Sequence, residues 1–345
     1  ATRGNLTHTI FKNNKAQYGA ALCREAGATG GYGYNNTFEF NHAYKSGAAL
    51  AWMGSRGINI DNYTFNDNWA DVSGGAIYIA TNSPDCVINN SHFNRNYVPD
   101  DNGGYGGAIA CLADNAHVIN TTFDENYAYE GGAIYVGGSG HTSTVEYSSF
   151  TNNKATGANG GAIDWVASTG NILYSNFTEN SAIYGGAVYV GGSSENSRIS
   201  HVIFESNKAS KNGGAIDWNA TGGNLTHTQF IKNEADYGAA LCREANSGGG
   251  FGYNNTFTRN TARISGAALA WLSTDGIKID TYFFYNNTAE VSGGSIYVDA
   301  NSPNCKVINS TFDGGMVRTG RGGDIDWVGA NGYIFNSTFS NATSS

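Results

Sequence analysis

Apolar positions recur along this chain in three registers, none of which follows a helical period. The first register holds Leu6, Ile60, Ile88, Val118, Val145, Ile172, Ile199, Leu225, Ile279, Val307 and Ile334, with Gly33 and Gly252 in its place twice. Five residues after each stands a phenylalanine, from Phe11 and Phe38 onward, heading a Phe-x-x-Asn motif: Phe65/Asn68, Phe93/Asn96, Phe123/Asn126 and so on. The third register closes a Gly-[Gly/Ala]-Ala-[Ile/Leu/Val] element that starts at Gly19, Gly47, Gly74, Gly106, Gly131, Gly160, Gly185, Gly213, Gly238 and Gly266. Variant copies start at Gly293, with Ser295, and at Gly322, with Asp324, making twelve copies spaced 25 to 32 residues apart. Among the first twelve copies of Phe-x-x-Asn only the twelfth fails, at Phe312-Asp313-Gly314-Gly315.

A repeat of this length supplies about three short strands and their corners, and parallel stacking would set equivalent residues ~4.8 Å apart. Each register then becomes a ladder of like side chains around a continuous core. The pattern predicts an all-β chain, a right-handed parallel β-helix (solenoid) of about twelve coils. The Gly pair suits a turn closed to residues with a β-carbon. The motif asparagine suits an amide ladder that satisfies corner backbone groups.

A longer period overlies the first. Residues 1–98 align without a gap on residues 220–317, an offset of 219, with about 60% of aligned positions identical. Gly19-Ala20-Ala21-Leu22-Cys23-Arg24-Glu25-Ala26 returns as Gly238 to Ala245. The expected organisation is one β-helix segment over residues 1–345 of a longer repetitive chain, with an eight-coil tandem block at 1–219 and a second copy from 220 onward. Equivalent residues of the two copies should share one strand register.

Composition narrows the function. Charged residues make up 14% of the chain and the net charge is −9, which argues against a nucleic-acid-binding surface and against attraction to anionic lipid. No apolar run is long enough to span a membrane, so no membrane contact is expected within this segment. Five cysteines (Cys23, Cys86, Cys111, Cys242, Cys305) form no Cys-x-x-Cys, and the seven histidines show no metal-ligand spacing. Cys23 and Cys86 fall two coils apart in different columns, beyond disulfide reach, as do Cys242 and Cys305, so free thiols are expected. No cofactor and no metal centre is expected, weak calcium binding between coils being the one reading left beside that.

The pairing of Phe-x-x-Asn with Gly-Gly-Ala-[Ile/Leu/Val] resembles the repeats of adhesin-like proteins of methanogenic archaea, and is also similar to the passenger repeats of chlamydial polymorphic membrane proteins. The resemblance runs from Phe11 to about Ile325. The style of Asn309-Ser310-Thr311-Phe312 and Asn336-Ser337-Thr338-Phe339 is closer to the methanogen group. Either resemblance implies a right-handed β-helix, export to the cell surface and adhesion. It implies no catalytic residue.

Two columns follow the Gly element. Two residues past its Ile stand Trp52, Trp165, Trp218, Trp271 and Trp327, five of the six tryptophans, with Ile79, Val136, Val190, Val298, Arg24 and Arg243 in other coils. Exposed, this row would stack sugar rings; turned inward, it would fill the core. The column between holds Tyr78, Tyr135, Tyr189 and Tyr297 with Asp164, Asp217 and Asp326, and is expected to form a solvated face. Of thirteen Asn-x-[Ser/Thr] sequons, six (Asn35, Asn62, Asn120, Asn254, Asn309, Asn336) lie three residues before a Phe, where they would be by-products of an internal ladder. Asn5, Asn219, Asn224 and Asn341 are the glycosylation candidates.

The expected function is a cell-surface, extracellular β-helix rod for adhesion or ligand display, without catalysis. Its partner would be a glycan or protein of another cell. The alternatives are a structural filament of coils stacked end to end, and a polysaccharide-degrading β-helix enzyme. The Tyr97 to Tyr105 insertion is the one place for a unique site, and both chain ends, lacking polar caps, are expected to continue into further coils or to self-associate.

Overall fold

The computed structural model describes residues 4–99, 103–138, 142–192, 194–245 and 247–345. Among them every regular element is a short strand, paired in parallel with a strand one repeat away. The chain is a right-handed parallel β-helix of about twelve coils. Three residues of the Tyr97–Tyr105 insertion, 100–102, lie outside the described residues, as do Ala1 to Arg3 at the start of the 219-residue alignment.

One coil shows how the sequence closes. His117–Ile119 forms a strand of the first sheet, Thr122–Asp124 of the second, Tyr127–Ala128 of a short third and Ile134–Val136 of the fourth. Corners between them are left-handed: Asn120 has φ 45°, Glu125 has φ 53° and Gly131 has φ 60°. Asparagine tolerates that conformation better than most residues, which accounts for its abundance in this column. The second Gly of the pair is needed for a different reason. A β-carbon on Gly107 would stand 2.2 Å from the Gly132 carbonyl oxygen in the next coil.

Backbone contacts divide the chain into two compact units, Ala1–Ser175 and Asn176–Ser345. In the first, the apolar ladders run Leu6, Gly33, Ile60, Ile88, Val118, Val145, Ile172 in the first sheet and Leu22, Leu50, Ile77, Ile109, Ile134, Ile163 in the fourth. The second unit repeats the plan from Ile199 to Ile334 and from Val188 to Ile325. Registers agree across the 219-residue offset: Cys23 pairs with Ala51 and Arg24 with Trp52, while Cys242 pairs with Ala270 and Arg243 with Trp271.

Within each unit the Phe ladder stacks ring on ring, for example Phe93 on Phe123 at 4.9 Å and Phe284 on Phe312 at 4.4 Å between centroids. Beside it runs the amide ladder. Asn126 is fully buried, its Nδ2 donates to the Phe93 carbonyl at 3.0 Å and to Asn153 Oδ1 at 3.0 Å, and its Oδ1 accepts from the Asn96 backbone and side chain. The ladder lacks an asparagine at Gly315. There Asp324, the odd residue of its Gly element, fills the gap: a β-carbon on Gly315 would meet Asp324 Oδ1 at 2.0 Å, and the Gly315 backbone hydrogen-bonds to that carboxylate. The two departures noted in the sequence thus compensate each other.

Candidate functional site

The tryptophan column points inward. Trp52, Trp165, Trp218 and Trp271 are 0–2% exposed. Trp327 is partly exposed, with Nε1 donating to the Gly329 carbonyl at 2.9 Å. A ring enclosed on both faces cannot stack a sugar, so the exposed glycan row read from this column is corrected. In three coils the indole occupies space left by a glycine five residues later, where a β-carbon on Gly170, Gly223 or Gly332 would collide with the ring of Trp165, Trp218 or Trp327. Of the arginines of this column, Arg24 is partly exposed and Arg243 sits inside. Arg243, 3% exposed, lies 4.7 Å over the Trp218 ring and donates to the Gly222 carbonyl, and burial lowers its pKa to about 10. Cation–π contact and carbonyl hydrogen bonds together make the core tolerate a guanidinium.

The neighbouring column is not a solvated face at Asp164 and Asp217, a second correction, although Asp326 is partly exposed. Asp164 and Asp217 are both 0% exposed, and neither carboxylate has a hydrogen-bond partner. Tyr135, paired with Asp164, and Tyr189, paired with Asp217, are only partly exposed. Burial, followed by the nearby Glu130 charge, pushes the Asp164 carboxyl well above the usual carboxylate range. A carboxyl protonated more readily in the folded state contributes stability below its ordinary pKa, and loses it as pH rises toward the folded value. Replacing Asp164 with Asn should therefore stabilise the protein increasingly as pH rises from about 5, by up to about 1.4 kcal/mol per pH unit. Thermal melts of both proteins across that range check this, and a variant less stable than the parent at pH 8 would contradict it.

The six sequon asparagines before each Phe also differ from expectation. They occupy outward left-handed corners, with φ of 45–55°, and are partly or fully exposed. An external amide ladder links some of them, such as Asn336 to Asn309 at 2.7 Å. Of the four glycosylation candidates, Asn5, Asn224 and Asn341 are exposed, while Asn219 is partly buried with its amide on the Tyr189 hydroxyl at 3.3 Å. The cysteines are free thiols; Cys23 is partly exposed and the other four are buried.

The rings that do face solvent were missed. In the first unit Tyr32 and Tyr34 flank Gly33 on one strand and are 41% and 38% exposed, with near-parallel planes (13°) and centroids 6.4 Å apart. In the second, Phe251 and Tyr253 flank Gly252 with 37% and 40% exposure, 14° between planes and the same 6.4 Å. The next coil brings a carboxylate to each pair, and the coil after it an amide. Asp61 accepts from the Tyr32 hydroxyl at 3.0 Å and from Asn90 Nδ2 at 2.7 Å, and Asp280 accepts from Asn309 Nδ2 at 2.9 Å. Each platform has its own internal support. The space beneath Gly33 is filled by the buried Tyr63, and that beneath Gly252 by the buried Tyr282. The available signal was aromatic-Gly-aromatic, Tyr32-Gly33-Tyr34 and Phe251-Gly252-Tyr253, recurring at the 219-residue offset.

Trp69, the one tryptophan outside the buried column, also lies on the outer surface. It stacks between His42 at 4.5 Å and Tyr97 at 5.9 Å, and Tyr97 in turn stacks on Tyr127 at 4.9 Å. These rings cover one another's faces; the Tyr32/Tyr34 and Phe251/Tyr253 pairs are more open, as are Tyr147, Tyr174, Tyr333 and Phe335.

Coils of this kind, with a packed interior and paired rings displayed outside, define a β-solenoid. The chain belongs to the right-handed β-helix family, whose model ("Right handed beta helix region") matches residues 2–178. A Chlamydia polymorphic membrane protein repeat model matches residues 201–217. Among solved structures, PfbA, a surface adhesin of Streptococcus pneumoniae, is similar at 12% identity and a TM-score of 0.55, covering 99% of this chain and 85% of that one. A mutant tailspike protein of E. coli bacteriophage HK620, in complex with a hexasaccharide, is similar at 12% identity and a TM-score of 0.50, over 90% of this chain. This chain spans 60% of the tailspike's length. At such identities the likeness is one of fold. No curated protein sequence matches the chain.

Proposed function

We propose that this chain is an adhesin-like β-helix of the cell surface that binds glycans of another cell through its exposed ring pairs. The observation that carries the reading is the duplicated platform, two outward rings beside a carboxylate and an amide. Aromatic faces bind the apolar face of a sugar ring, and Asp and Asn accept from and donate to its hydroxyls. The fold is shared with a surface adhesin and with a tailspike solved with a hexasaccharide, which is in keeping with display of a glycan-binding face. Catalysis is not assigned, because Asp164 and Asp217 are sealed from any polymeric substrate.

A glycan array spanning neutral and acidic oligosaccharides tests the reading. The protein should be retained on a subset, with neutral sugars preferred because Asp61 and Asp280 repel carboxylates. Removing both rings of one platform, as in Tyr32→Ala with Tyr34→Ala, should cost about 2 kcal/mol, or roughly thirty-fold in affinity at that platform. Failure to bind any glycan, or full binding by a variant lacking all four rings, would overturn it.

A further inference from the structure

We propose that Asp217, Cys242 and Glu244 form a binding site for one divalent transition-metal ion of the zinc class. Asp217 and Cys242 are directly paired on adjacent strands of the fourth sheet, and Glu244 follows Cys242 by two residues, so all three project from the same face. Their ligand atoms lie within 4.8 Å of one another, the one such cluster among the described residues.

Two observations beyond the clustering point to an ion. Asp217 is fully buried and neither of its oxygens has a hydrogen-bond partner, an expensive state for a carboxylate that a cation would relieve. Glu244 is held at the cluster by a hydrogen bond from Asn212 Nδ2, the kind of outer contact that orients a metal-binding carboxylate. The donor set selects the ion class. One sulfur and two carboxylates suit zinc, cobalt(II) or iron(II), whereas calcium requires six to eight oxygens and magnesium keeps much of its water. Glu244 is partly exposed and supplies the side from which an ion would enter.

Asp164 provides the internal control. It occupies the same Ile-Asp-Trp strand position with the same burial and the same unpartnered oxygens, but has no thiol and second carboxylate gathered around it. Burial of an aspartate in this column is therefore not enough to make a site.

The test uses the reduced, metal-stripped chain. Cobalt(II) added to it should bind at one equivalent and give a near-ultraviolet thiolate-to-cobalt charge-transfer band, displaced by zinc. Cys242→Ser should abolish the band, Asp217→Asn should weaken zinc binding at least tenfold, and Asp164→Asn should leave both unchanged. Circular dichroism reports whether each variant retains its strands, and the parent chain alone decides the matter if a variant does not fold. Absence of a stoichiometric band in the parent, its persistence in Cys242→Ser, or equal zinc affinity in Asp217→Asn would each overturn the site.

Discussion

Replacing Asn126 with alanine is expected to destabilise the first unit by about 3–6 kcal/mol, among the largest losses available from one side chain. The side chain is fully buried and makes four hydrogen bonds, to the coils on either side of its own. Its loss strands the Asn96 backbone N–H, one amide proton of Asn96 and the Phe93 carbonyl, none of which water reaches. Each orphaned group costs about 1–3 kcal/mol. Asn126→Asp should do no better, because a carboxylate keeps the acceptor for Asn96 but turns oxygen against the Phe93 carbonyl and Asn153 Oδ1. In a solenoid the damage is felt first by nearest-neighbour coils. Hydrogen exchange should therefore rise around Asn96, Asn126 and Asn153 before it rises at Ile10–Lys12. A loss under 1 kcal/mol, or exchange that rises uniformly, would contradict a cooperative amide ladder.

The second large effect concerns the support under the ring platform. Gly252 replaces the apolar residue of its ladder, and a β-carbon there would stand 1.8 Å from the buried Tyr282 hydroxyl. Gly252→Ile should cost about 3 kcal/mol through overpacking, although its backbone conformation admits a side chain. The position of Tyr282 carries Ser91, Ser148 or Ser310 in other coils, whose hydroxyls accept a backbone N–H from the preceding coil. Tyr282→Ser added to Gly252→Ile should therefore recover most of the lost stability by restoring the commoner pairing. Denaturant titrations of the parent, both single variants and the double variant give the coupling directly. Additive single effects would show that Gly252 and Tyr282 do not share one space.

How much of this was legible depends on whether neighbouring coils repeat one another. The Phe column, the motif asparagines and the Gly pairs were readable because each residue stacks on its own kind, and the structure places them as ladders. The direction of the tryptophan column was ambiguous because Arg24 and Arg243 share it. Only the geometry shows a guanidinium stacked on Trp218 and bonded to a core carbonyl. Solvation of Asp164 and Asp217 was misjudged because strand alternation gives the face but not what crowds it. Gly33 and Gly252 were visible as gaps in a column, yet the rings beside them gained meaning only once Tyr63 and Tyr282 were seen filling those gaps. The Asp217, Cys242 and Glu244 cluster has no linear motif, since its members come from two coils and meet only through strand pairing.

The central claim is that sugars meet this β-helix at its outward ring pairs and not at its tryptophan column. Fluorine NMR tests it most directly, on protein labelled with fluorotyrosine at Tyr34 and Tyr253 or with fluorotryptophan throughout, titrated with an oligosaccharide retained on the array. The account predicts saturable shifts at Tyr34 and Tyr253, with the resonances of Trp52, Trp165, Trp218 and Trp271 unmoved. Shifts confined to the tryptophans, with Tyr34 and Tyr253 silent, would contradict it.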